Sequence, residues 1–313
     1  RDYAVTGVQT CALPILPLLS RPDFTDSNFL RVLKLAGPIV VGSLFSQLYM
    51  VIDRRLGSGL EAGSIASLNY GLKLVQLPVG IFVTALATAV FPRLSEYAAA
   101  KNRSGFGSTV SSSIRMLAIL LIPASVGMIA LRYPIAQLAF ERGSFDAVAT
   151  RQTAIALGYY AIGLLGVAGA SILVRGFYSL QDTMTPVKIG VATTLVNIAL
   201  AVVLVRPMGH GGLALANSLS VLFSASVLLY LLARHVEPGS LNFAPLLLKV
   251  VVAAMPMGLA SLWVHGATTQ FGQIVSLGLA VGVGITLYGA LLYLFKVEEL
   301  HSNLRLILTK LGR

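Results

Sequence analysis

Charge is scarce in this sequence. Lysine, arginine, aspartate and glutamate make up 11% of its 313 residues, where a soluble domain carries about 25%. So few charges cannot cover the surface of a soluble globule of this length. Cysteine occurs once, as Cys11. The short alternating strands that would build a membrane β-barrel are missing as well. No P-loop, HExxH or GxSxG pattern occurs, so ATP-driven transport by this chain has no support. The four histidines, His210, His235, His265 and His301, are scattered near predicted helix ends or in the tail. No metal-ligand or nucleophile–base spacing joins them to anything, and the chain does not read as an enzyme.

What the sequence does have is apolar length. Hydrophobic residues make up 56%, and mean hydropathy is +0.82. They come in blocks of 20 or more, enough to cross about 30 Å of hydrocarbon. The chain is expected to be an all-α polytopic membrane protein with about eight transmembrane helices. The expected spans are 33–55, with Gly37-Pro38 near its start; 68–94, with Pro78-Val79-Gly80 inside; 114–138, with Pro123; 150–178; 186–205; 213–233; 245–264; and 274–295. Residues 16–32 read as an interfacial segment, and HVEPGSLNF (235–243) as a break. The region after 296 is a basic tail.

Net charge is +11. The basic residues lie mostly in short loops, which suits the positive-inside rule and anionic headgroups better than nucleic acid. Seven lie on one side: Arg54, Arg55, Lys73, Arg132, Arg142, Arg151 and Arg206. With Arg1 set aside, the other fifteen of the 23 lie on the opposite side. That bias places both ends in the cytoplasm. Glycine and proline inside the spans, including Gly158, Gly163, Gly166 and Gly169, suit close helix packing or broken transporter helices.

Four charges cluster at the first predicted hairpin. Asp53, Arg54 and Arg55 close one helix, and Lys73 lies about 12 Å into the next if that helix starts near Ile65. At that depth a lysine needs water or a partner, and Asp53 is the nearest acid across the hairpin. Two readings stand. Lys73, Arg54 and Arg55 are cavity cations for an anionic substrate, with Asp53 as counter-ion or ion-coupling group, or the cluster snorkels to the interface. Asn197 and Asn217 are intramembrane amides that either pair across helices or, with Asp53, offer oxygens to Na⁺. Thr193 and Thr194 add hydroxyls nearby, although threonine often bonds its own helix. FERGSFD (140–146) and GFYSLQDTMTPVKIG (176–190) read as compact polar connections, the latter with Asp182 before a Thr-Pro helix start.

The run AGPIVVGSLFSQLYMVIDRRLGSGLEAGSIASLNYGLKLVQLPVGIFVTALATAVFPRLS resembles the MurJ/MviN-type lipid II flippases of the MOP exporter superfamily. FERGSFD and GFYSLQDTMTPVKIG resemble the same family in the same order, and the likeness runs from about Arg21 to the end. It implies a fourteen-helix parent with two six-helix lobes around a cationic cavity and two helices forming a lipid groove. On that likeness 33–236 is the second lobe, 237–296 the groove pair and 297–313 the basic tail, with the first lobe lying outside this sequence. Lys73 then stands where many members carry a cavity arginine. Asp53, Asn197 and Asn217 stand at positions similar to sodium ligands of some members, and Ala201 stands where a further polar ligand can occur. The implied function is alternating-access flipping of lipid II across the bacterial inner membrane, with membrane potential or Na⁺ biasing the cycle. The implied partners are lipid II, membrane lipids and the absent first lobe. An exporter of another polyprenyl-linked glycan or of cationic drugs, and a non-transporting scaffold, are the alternatives.

VTGVQTCALPI (5–15) is also the translation of a common sequencing-library adapter. On that reading 1–15 is not native sequence, Cys11 is no redox site, and the chain by itself is not expected to transport.

Overall fold

A computed structural model of the chain describes residues 47, 51, 52, 54–241 and 243–297, all within one unit that starts at Gly42. Most of the first predicted span, Asp53, the 16–32 segment and all but the first residue of the tail lie outside the described residues.

Among the described residues the structure is helical throughout. Helix α1 (Ser64–Pro78) runs through a π-helical turn (Val79–Val83) into α2 (Thr84–Ala99). Then follow α3 (Arg103–Ala130), a short α4 (Arg132–Phe140), α5 (Ala147–Ile162) and α6 (Leu164–Ser179). The rest is α7 (Met184–Met208), α8 (His210–Ala233), α9 (Ala244–Thr268) and α10 (Gln273–Leu294). Among the described residues six helices are long and apolar enough to cross a membrane, counting α1–α2 as one. The pair α5 and α6, bent by 43°, makes a seventh if it forms one span. The chain is a multi-pass membrane protein.

Three expected spans change in form. The 68–94 span is 64–99 and carries a π turn just after Pro78. Proline cannot donate to the carbonyl four residues back, and a wider turn is one way to absorb that defect. The 114–138 span ends at Ala130. Leu131 leaves helical geometry (φ −99°, ψ 21°), and residues 132–140 form α4 instead. At its other end α3 starts eleven residues early, because Asn102 caps it by accepting from the Gly105 N–H at 2.8 Å. The 150–178 span breaks at Gly163. The four expected spans from 186 onward match to within a few residues, and the 235–243 break stands between α8 and α9.

Hydrocarbon offers no hydrogen-bond partner to a freed carbonyl, and neighbouring helices supply one. Pro123 frees the carbonyl of Ile119, which accepts from Tyr288 Oη of α10 at 2.8 Å. Near the Gly163 break, Ser218 Oγ donates to Tyr159 O at 2.7 Å and lies 3.3 Å from Tyr160 O. Ser125 Oγ donates to Ala161 O. Helix α3 is central. With α1, α5, α6 and α8 it buries Leu117, Leu121, Leu157 and Leu213, and on another side Val250 and Met257 of α9 pack on its Ala118 and Ile122.

Glycines let the backbones approach. A Cβ on Gly166 would meet Leu222 N at 2.9 Å and Val221 C at 3.0 Å, both backbone atoms of α8. At Gly169 the nearest atom is the Ala225 methyl at 3.7 Å, an ordinary contact. Gly166→Ala is therefore expected to destabilise the protein by about 1–3 kcal/mol through overpacking. Gly169→Ala should be neutral or slightly stabilising, since alanine favours the helix by up to about 1 kcal/mol. Thermal unfolding of the two variants in detergent distinguishes them.

Candidate functional site

Lys73 lies on α1, nine residues after its start and so about 14 Å along the helix. It is exposed and forms no ion pair with any described residue. Its Nζ sits over the Tyr70 ring, 5.4 Å from the centroid, close enough for a cation–π attraction. Tyr70 is held by two further aromatics, with Phe140 at 4.7 Å and Phe145 at 5.3 Å between centroids. FERGSFD is thus more than a connection: its two phenylalanines set the ring beneath the cation. The loop is itself stitched. Thr150 Oγ1 donates to Glu141 Oε2 at 2.7 Å, and Asp146 caps α5 by accepting from the Ala149 N–H at 2.9 Å.

Arg54 and Arg55 are exposed in a helical segment (residues 54–57). The pairing expected of Asp53 lies outside the described residues. Below Lys73, the next residue Leu74 faces a different direction, roughly 100° round the helix. There it lines an apolar cavity of about 570 Å³ between α1, α3, α9 and α10, with Pro78, Pro123, Met128, Met257 and Tyr288. Helix α1 therefore carries an exposed cation on one face and an apolar groove on the next.

Asn197 is 4% exposed. Its Nδ2 donates to Ser220 Oγ of α8 at 3.0 Å, and that hydroxyl donates to Asn217 O at 2.7 Å. This is the interhelical amide pairing that the sequence left as one option, with Ser220 as the unexpected member. Asn197 Oδ1 is buried without a hydrogen bond. Thr193 and Thr194 bond the Ile189 and Gly190 carbonyls of their own helix. Among the described residues no group of three His, Cys, Asp or Glu could hold a metal.

Sequence reasoning also missed Gln152, which joins three elements at the end of the bundle nearer Lys73. Ser67 Oγ donates to its Oε1 at 3.3 Å, its Nε2 donates to Glu61 at 3.4 Å, and His210 Nε2 donates to its carbonyl at 3.0 Å. A glutamine inside an otherwise mixed helix start gives no sequence signal for such a role.

The bundle has the fold of MOP-superfamily transporters. A Pyrococcus furiosus transporter of that superfamily superposes with a TM-score of 0.57 at 15% identity, over 84% of this chain and 64% of its own. A solved lipid II flippase MurJ, in an inward closed conformation, gives 0.70 at 25% identity over 89% of this chain and 57% of that one. Residues 8–282 match the family model described as lipid II flippase MurJ, and the chain belongs to that family. The match opens inside VTGVQTCALPI. The probable lipid II flippase MurJ of Vibrio cholerae is 30% identical over 299 residues, 90% of this chain and 55% of the relative. Its Haemophilus influenzae counterpart is 30% identical over 300 residues, 91% and 58%. The chain thus spans little more than half the length of these curated relatives. The family is one of flippases rather than of catalysts.

Asp182 ties the turn between α6 and α7. Its Oδ1 accepts from the Thr185 N–H at 2.9 Å and its Oδ2 from Thr185 Oγ1 at 2.6 Å. Partial burial raises its pKa, but the hydrogen bonds from Thr185 and Met184 and the nearby His235 outweigh that, so it is held below the ordinary carboxylate value. A lowered folded pKa gives stability that is fully present above the unfolded value, about 3.9, and lost as pH falls through the folded one. Asp182→Ala should cost about 1 kcal/mol at neutral pH. Asp182→Asn should keep most of the cap but lose the acid-dependent component. Melting temperatures of both variants and the parent from pH 7 downward check this.

Proposed function

We propose that this chain is the lipid-handling part of a transporter that flips lipid II across the bacterial inner membrane, with a partner lobe completing its cavity. The family match over residues 8–282 carries the reading. In it, Lys73 attracts the diphosphate of the headgroup, with Arg54 and Arg55 adding positive field nearby. Lysine acts here as a compact point charge rather than the bidentate fork of an arginine. The cation–π contact with Tyr70 steadies the ammonium without neutralising it. The polyprenyl tail stays in the apolar groove between α1, α3, α9 and α10, so headgroup and tail are handled by adjoining faces of α1. Rocking of the two lobes exposes the headgroup first to one side and then to the other. No bond is made or broken in the lipid, so the work is binding and reorientation.

A coupling Na⁺ would be held by oxygens. The orphan Oδ1 of Asn197 is the buried acceptor that fits, with Asn217 and Asp53 as the further candidates. Ala201 contributes no ligand, so the donor set is lean on that side. Both ends of the chain are placed in the cytoplasm by the lysine and arginine bias.

The test is rescue of cells depleted of their own lipid II flippase by a full-length version of the protein. Rescue is expected from the parent and from Lys73→Arg, and loss of rescue at normal membrane abundance from Lys73→Ala. Failure of the parent to rescue, or full rescue by Lys73→Ala, contradicts the reading.

A further inference from the structure

At the end of the bundle that carries the excess of lysine and arginine, away from the Lys73 face, lies a second pocket. It has a volume of about 200 Å³ and is lined by Tyr97, Lys101, Arg103, Phe106, Leu180 and His235, among others. Its residues come from the α2–α3 turn, the α6–α7 turn and the end of α8. They are far apart in sequence, so no motif announces them.

Three features make this a site for an anion. First, its charged lining is basic: Lys101 and Arg103 are exposed, with the exposed His235 ring beside them. The His235 Nδ1–H donates to Leu231 O at 3.1 Å, which leaves Nε2 as the ring's remaining polar atom. No acid lines the pocket; Asp182 feels His235 electrostatically but is occupied by Thr185 and Met184. Second, α3, 28 residues long, begins here, so the positive end of its dipole adds to the same field. Third, Lys101 is placed by a strained turn. Its φ is +53°, where glycine is usual. The turn is closed by Lys101 N–H to Ala98 O at 3.1 Å and Asn102 N–H to Tyr97 O at 3.0 Å, the pairing of a Schellman cap. A position that ordinarily takes glycine takes a cation instead.

The rest of the lining is apolar. Phe106 is buried, and Ala98 and Leu180 complete that side. A soluble ion gains nothing from such a wall, whereas the glycerol and first methylenes of a lipid do. The pocket also sits where the apolar spans α6 and α8 end, at headgroup level. Basic pockets at this depth attract anionic lipids. We infer that the pocket formed by Lys101, Arg103 and His235 binds the phosphate of an anionic phospholipid headgroup, at a site separate from the groove between α1 and α10. This inference does not depend on which lipid the protein flips.

Lys101→Gly separates structure from binding, because it relieves the strained turn while removing the charge. Binding of phosphatidylglycerol, phosphatidylcholine and inorganic phosphate to the purified chain in neutral detergent is followed by native mass spectrometry. The control is a variant lacking two charges at the opposite end, Arg142→Gln with Arg206→Gln. The expected result is a tightly bound phosphatidylglycerol with little competition from phosphatidylcholine. Lys101→Gly with Arg103→Gln should weaken it about tenfold or more, and the control should not. Lys101→Gly alone should raise the melting temperature and still weaken binding. Equal phosphatidylglycerol affinity in the parent and the Lys101 variants overturns the site. Variant-sensitive binding of inorganic phosphate with no preference between the two lipids overturns the assignment to a lipid.

Discussion

Everything in this fold answers to one constraint: inside hydrocarbon, a backbone carbonyl that loses its helical partner must find another within the protein. Helical hydrogen bonding is broken at Pro123, inside α3, and at Gly163, between α5 and α6, and both places are repaired from outside. Tyr288 of α10 donates to the carbonyl that Pro123 frees, and Ser218 and Ser125 reach the carbonyls before Gly163. These repairs also decide which helices pack together. The Tyr288 bond ties α10 to α3, so the wall of the apolar cavity is fixed by a polar contact. The same break that bends α5 from α6 brings Gly166 against the backbone of α8.

Much of the architecture was legible as apolar length, because crossing a bilayer sets a minimum run that composition alone reveals. What hydropathy could not show was where a continuous apolar run stops being one helix. Residues 114–138 look uniform, yet the chain turns at Leu131. Conversely the serine-rich 103–113 stretch looks unlike a span, yet it is helix, since a cap at Asn102 matters more there than polarity. Gly163 was visible as one of four glycines in its span. Nothing in the sequence marked it above Gly166, and both lie against the backbone of α8.

The candidate site was legible in part for similar reasons. A lysine deep in an apolar hairpin stands out by its cost, and the structure leaves Lys73 exposed and without an ion-pair partner among the described residues. Its support was not visible. Tyr70 is 70 or more residues from Phe140 and Phe145, and the three meet only because α4 and α5 fold back on α1. Asn197 was picked out as a buried amide, but its partner Ser220 was not, since serine in a membrane helix is common and usually bonds its own backbone. The basic pocket at the other end is wholly a product of tertiary structure. Its most informative residue, Lys101, is betrayed only by a backbone angle.

The central claim is that a family member built on this half moves the lipid II headgroup across the bilayer. The most direct measurement uses fluorescently headgroup-labelled lipid II in sealed vesicles holding the full-length protein, with a membrane-impermeant reductant added outside. The account predicts bleaching that proceeds beyond the outer-leaflet share, at a rate set by the amount of protein. Bleaching that halts at the outer-leaflet share, in vesicles where the protein is folded and correctly inserted, would contradict it.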